Sequence, residues 1–109
     1  MNQLVLVGRL TEDLKFGHVA GKEVAKFSLS IPRSYKNSDG EYETDTIPVL
    51  VRDTLSKNAA KYCKKGDVIG IKGVIESRTV NGKVNLYIFA DKITFLSAGA
   101  KAEEDEDDE

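Results

Sequence analysis

Residues 53–78 read DTLSKNAAKYCKKGDVIGIKGVIESR, and this stretch decides the fold. Leu55, Ala59, Tyr62 and Cys63 recur at i, i+4, i+7 and i+8, the spacing of one helical face, so a helix is predicted over residues 54–64. Asp53 is positioned to cap its start. Lys61, Lys64 and Lys65 gather where the helix dipole favours cations, and Gly66 supplies a left-handed residue to end the helix. DVIGIKGVIESR follows at once and reads as a strand with Gly70 and Gly73 at points where it has to bend.

Working outward, the rest of the chain reads as strands. Asn81-Gly82 signals a tight turn, after which a last strand runs from about Val84 to Leu96. Before the helix, TIPVLVR forms a strand in which Pro48 sits near the start or faces an unpaired edge, because proline donates no ladder hydrogen bond. Residues 33–45, RSYKNSDGEYETD, carry a turn signal at Asp39-Gly40 and predict a long hairpin tip or a mobile loop. In VAKFSLSI, Phe27, Leu29 and Ile31 point one way and Lys26, Ser28 and Ser30 the other, the alternation of a half-buried strand. NQLVLVGRL, residues 2–10, is a first strand that bends or bulges at Gly8, and residues between it and the next strand read as a polar connection. The order β-β-β-α-β-β, with one helix between the third and fourth strands, is that of an all-β, five-stranded Greek-key barrel of the oligonucleotide-binding (OB) type.

The 109 residues suit one domain, expected over residues 1–97, with a flexible acidic tail at residues 98–109. The net charge of -2 conceals an uneven distribution. Residues 103–109 read EEDEDDE and hold seven of the eighteen acidic residues, leaving eleven against all sixteen Lys and Arg, so residues 1–102 carry a net +5. A basic body attracts polyanions; a tethered acidic tail either competes for the same surface or only aids solubility. No apolar stretch approaches the ~20 residues that span a bilayer, and the N-terminus lacks an export leader, so a soluble cytoplasmic protein is expected. Cys63 is the single cysteine and His18 the single histidine, so neither a disulfide nor a cysteine cluster forms within the chain, and no metal or cofactor is expected. With the clustered carboxylates in a tail too flexible to hold a catalytic geometry, an enzyme is not expected and no catalytic residue is assigned.

Several stretches resemble the bacterial and phage single-stranded DNA-binding (SSB) family. They are Asn2 to Asp13, VAKFSLSIPR from Val24 to Arg33, LSKNAAKYCKKGDVIGIKGVIESR from Leu55 to Arg78, and FADKITFL from Phe89 to Leu96. The resemblance covers residues 2–96 in order and implies binding of single-stranded DNA without sequence preference, in replication, recombination or repair. It also implies a homotetramer, or a dimer if Gly70 and Ile47 replace interface side chains, and a nucleoid-associated place in a bacterial cell or phage-infected host. The family often sets tryptophans along the DNA; this chain has none, and Tyr35, Thr46 and Val80 stand near three such positions. A phenylalanine that stacks a base in some members falls on Arg52. The tail lacks the long linker and apolar tip that partner proteins grip in cellular members, which leaves replication and recombination partners open and suggests a phage or mobile-element version.

Such binding needs cations for phosphates and flat side chains for unstacked bases. Lys26 on the polar face of its strand is expected to form a groove with Arg9, Arg33 and Arg52; ordinary solvated positions are the alternative for Lys26 and Arg9. Tyr35 and Tyr42 flank Asp39-Gly40 beside Lys36 and either stack bases or pack over the loop or a subunit contact. The missing aromatic platforms predict a weaker or more salt-sensitive binder unless Tyr35, Tyr42 or guanidinium stacking by Arg52 compensates. Arg78 and Lys83 flank Asn81-Gly82 and either close over a strand of DNA or serve solubility, and the resemblance adds a phosphate contact by Lys65. Phe27, Phe89 and Phe95 are expected in the core, while Tyr87 is compatible with either face. A barrel that binds RNA or a protein partner is the leading rival to the DNA reading.

Overall fold

The computed structural model describes residues 1–19 and 21–97; the predicted acidic tail lies outside the described residues. In chain order the elements are β1 (Leu4–Leu10), β2 (Lys15–Val19), β3 (Lys22–Lys36), β4 (Tyr42–Arg52), α1 (Asp53–Tyr62), β5 (Val68–Val80) and β6 (Lys83–Ser97). Sheet order is β1-β5-β6-β4-β3-β2, and β1 also pairs with β3 at Arg9 and Leu10, which closes five strands into a barrel. Closure depends on Gly8: a Cβ there would lie 2.7 Å from Ile31 Cγ1 and 2.8 Å from the Ser30 carbonyl oxygen, so a side chain would hold β1 away from β3. The expected five-stranded barrel is therefore present, with β2 added as a short hairpin partner of β3 where the sequence predicted an irregular connection.

Alternation delivers the core. Phe27 and Leu29 of β3, Val49 and Val51 of β4, Ile69 and Ile71 of β5 and Leu10 of β1 meet inside the barrel. The helix packs on β3, β4 and β6, and Ala59 and Cys63 join the core cluster while Leu55 packs against it. Burial pushes the Cys63 thiol up from its ordinary value, the expected behaviour of an inert buried cysteine.

Several local expectations are corrected. The helix begins at Asp53, with Arg52 in extended conformation at the cap position and no side-chain cap hydrogen bond, so Asp53 is the first helical residue and not the cap. The helix stops at Tyr62, leaving only Lys61 in its last turn; Gly66, at φ +92°, belongs to the following corner. Asp67 Oδ2 accepts from Lys64 N at 2.9 Å and Asp13 Oδ1 from Lys65 N at 2.8 Å, so two carboxylates order that corner. Residues 33–45 are mostly strand: β3 and β4 continue as a ladder out to Lys36↔Tyr42. Asn37 organises the five-residue tip, its Oδ1 accepting from Asp39 N and Glu41 N at 2.9 and 3.0 Å. Phe95 is 48 % exposed beside α1 instead of buried in the core. The Asn81-Gly82 turn is as expected, with φ of 52° and 78° allowing the tight connection between β5 and β6.

Candidate nucleic-acid interface

The sheet presents one continuous outer face. On β3 it carries Lys26, Ser28 and Ser30, whose partners on β4 are Leu50, Pro48 and Thr46. β4 hands it to β6 through the parallel pair Leu50↔Phe89. β6 passes it to β5 through Phe89↔Val74, Tyr87↔Glu76, Asn85↔Arg78 and Lys83↔Val80. Because side chains alternate across a pleated strand, Lys26, Arg52, Tyr87, Arg78 and Lys83 share this face while the barrel core occupies the other.

At one side of the face Arg9 stands opposite Ser30 on β3. An open depression of about 520 Å³ lies here, lined by Gly8, Arg9, Ser30, Pro32 and Thr44. Arg9 Nη1 donates to the Gly66 carbonyl, which ties the guanidinium to the corner that carries Lys65. A carbonyl is neutral, so Arg9 keeps its net charge for an anion. Lys26 and Lys65 are exposed, as are Arg78 and Lys83 out on the β5–β6 hairpin. Among the ion pairs of the described residues these five cations take no part.

Two of the expected groove arginines are held differently. Arg33 is not on the Lys26 face: it grips Asp45, the cross-strand partner of Ile31, through Nε and Nη2 at 3.1 and 2.8 Å, and Glu43 through Nη1. The cause is parity. Arg33 follows Ile31 by two residues, so it falls on the Phe27-Leu29-Ile31 side of the strand. The contact raises the guanidinium pKa and lowers that of the Asp45 carboxyl through their shared hydrogen bonds. Arg52 does stand on the outer face, with Nη2 2.9 Å from Glu76 Oε1 and Cζ 3.5 Å from the centre of the Phe89 ring. Phe89 is buried as expected, outside the central cluster and with Arg52 over its ring. Tyr87, across from Glu76, is half-buried.

Tyr35 and Tyr42 are 64 % and 58 % exposed on the β3–β4 hairpin, and the Lys36 ammonium lies 5.7 Å from the centre of the Tyr42 ring. Neither ring joins the core. The sequence reading missed Glu76 and the role of Phe89 beneath Arg52. Counting back from Asn81-Gly82 does pair Glu76 with Tyr87 and Val74 with Phe89, but that count does not bring Arg52 to them.

Comparison with known proteins points the same way. The model of the single-strand binding protein family matches residues 1–96. The chain is 38 % identical over 101 residues to single-stranded DNA-binding protein B of Bacillus subtilis, covering 87 % of this chain and 89 % of that one. It is 40 % identical over 108 residues to a single-stranded DNA-binding protein of Clostridium tetani, covering 93 % and 74 %. Its fold is similar to that of a deletion mutant of the single-stranded DNA binding protein from Thermus aquaticus, with a TM-score of 0.74 at 19 % identity, over 89 % of this chain and 51 % of that one.

Proposed function

The chain belongs to the single-strand binding protein family, and from that premise we propose that it binds single-stranded DNA without sequence preference, protecting it during replication, recombination or repair. The observation that carries this reading is the outer sheet face running from Lys26 to Arg78, which sets exposed cations around the partly exposed Arg52 guanidinium and the half-buried Tyr87 ring. Phosphates are taken by Arg9, Lys26 and Lys65, and bases by Tyr35 and Tyr42, with Lys36 beside them. Arg78 and Lys83 on the hairpin close over the strand from the far side. The reading includes no catalytic step, cofactor or metal.

Self-association is part of the proposal. Val5 and Val7 of β1 are 67 % and 50 % exposed, and Val7 lies beside Gly70 and Leu96 on the outside of the barrel. A contiguous apolar patch of this kind suits contact with a second copy, with a tetramer as the expected assembly and a dimer as the simpler one. The cytoplasm is the proposed place of action; among the described residues no helix is long and apolar enough to cross a membrane.

The test is fluorescence anisotropy of labelled oligo-dT and of its duplex form, titrated with the full chain at two salt concentrations. Tight binding to the single strand that weakens with salt, with little affinity for duplex, is the expected result. Equal or absent binding would overturn the proposal and turn attention to RNA or a protein partner.

A further inference from the structure

We propose that Glu76 is a positioning residue that holds the Arg52 guanidinium flat on Phe89, so that Arg52 offers its outer face to a nucleobase and does not serve as a phosphate contact. This rests on the DNA-binding reading above and concerns one subsite within it.

The argument begins with Phe89. Its register with Leu50 and Val74 puts the ring on the outer face of the sheet, where an aromatic side chain would ordinarily be exposed. It is only 2 % exposed, and Arg52 lies over it at 3.5 Å, the spacing of stacked planes. A guanidinium so placed still has freedom to rotate. Glu76 removes it by accepting from Nη2 at 2.9 Å from the neighbouring position on β5. The hydrogen bond to Arg52 holds the Glu76 carboxyl below the usual carboxylate range, so the clamp is ionised at neutral pH.

Two consequences follow. The Arg52 side chain remains 40 % exposed, which leaves a planar, delocalised surface open at the centre of the face and suited to stack a base. Its charge is already matched by Glu76, so it releases few counterions when DNA arrives. Stacking and phosphate binding thus separate by salt dependence: a phosphate contact contributes about 0.7 to the slope of log K against log salt for a single strand, whereas a stacked base contributes to the affinity extrapolated to 1 M salt.

The experiment titrates oligo-dT by anisotropy at several salt concentrations with the full chain and four variants, each checked for folding by circular dichroism. Lys26→Ala is the phosphate reference and should flatten the slope by about 0.7. Arg52→Lys keeps the charge and loses the plane; it should lower the 1 M affinity roughly tenfold and leave the slope as it is. Glu76→Ala should lose most of that tenfold because the guanidinium is no longer held, and Glu76→Gln, whose amide oxygen still accepts from Nη2, should restore it. Glu76→Ala alters neither Arg52 nor Phe89 themselves, so it serves as a test even if changes at Arg52 weaken folding. An unchanged 1 M affinity in Arg52→Lys or Glu76→Ala would overturn the inference. A rise in affinity on removing the guanidinium would overturn it in favour of Phe89 as the platform. Failure of the unaltered chain to bind oligo-dT would instead overturn the underlying function.

Discussion

Arg33 shows how one side chain can carry the right charge and still point away from the task its sequence suggests. Its guanidinium binds Asp45 in a two-pronged contact and also reaches Glu43, which in turn accepts from Asn37 Nδ2 at 3.3 Å. The cluster therefore links the base of the β3–β4 hairpin to the residue that shapes its tip. Because Arg33 lowers the Asp45 pKa, the contact contributes stability above the ordinary Asp value of ~3.9 and loses it as pH falls through the lower value of the folded state. Asp45→Asn should accordingly melt a few degrees below the unaltered chain at neutral pH, the gap closing as the pH is lowered below ~3.9. A gap independent of pH over that range would show that packing, and not the ion pair, is what Asp45 supplies.

At the scale of elements, the β5–β6 hairpin depends on a register shift between Lys72 and Gly73, where the ladder passes from Lys92 to Ala90 and Asp91 is left over. A side chain at Gly73 would fall on the Phe89 carbonyl oxygen and lie 3.1 Å from Ala90 Cα, both backbone atoms that cannot move aside. Gly73→Ala should therefore cost at least the ~1–3 kcal/mol typical of overpacking, read as a lower denaturant midpoint at constant m-value. Gly70→Ala is the control, since its nearest neighbours are the ends of Leu96 and Val7 at 3.6 Å, and it should change little. The sequence displayed such features where a local rule governs them: the alternation of β3, the Asn81-Gly82 turn and the apolar face of α1 were all legible. β2 was not, because Lys15–Val19 holds Gly17 and His18 and owes its strand form to pairing with β3. The direction of Arg33 was not legible while residues 33–45 read as a hairpin tip or loop; with β3 continuing through Pro32, alternation puts it on the side of Ile31 and Asp45. The Arg52–Glu76 contact joins residues 24 apart in sequence, and no local pattern announces it.

The whole molecule is governed by the separation of its charge. Residues 1–102 carry a net +5 and residues 103–109 seven carboxylates, so a cationic face and a polyanion are tethered in one chain. Ser97, where the barrel ends, pairs with Val68 at the start of β5, directly after the corner that bears Lys64 and Lys65. Five residues, 98–102, separate Ser97 from the acidic run, so Glu103 stands six Cα steps away, and at ~3.3–3.6 Å per residue the chain reaches about 20 Å from there, enough to bring the acidic run alongside the corner and Arg9. Competition of this origin is set by screening: it acts over ~30 Å at 0.01 M salt and over only ~8 Å at 0.15 M. Truncation after Ala102 should therefore raise the affinity for oligo-dT several-fold at the lower salt and leave it nearly unchanged at the higher. It should also leave the Arg52 contribution at 1 M salt intact, since that part owes nothing to net charge. Equal affinities of the two chains across the whole salt range would assign the tail to solubility alone and leave the barrel face as the sole determinant of binding.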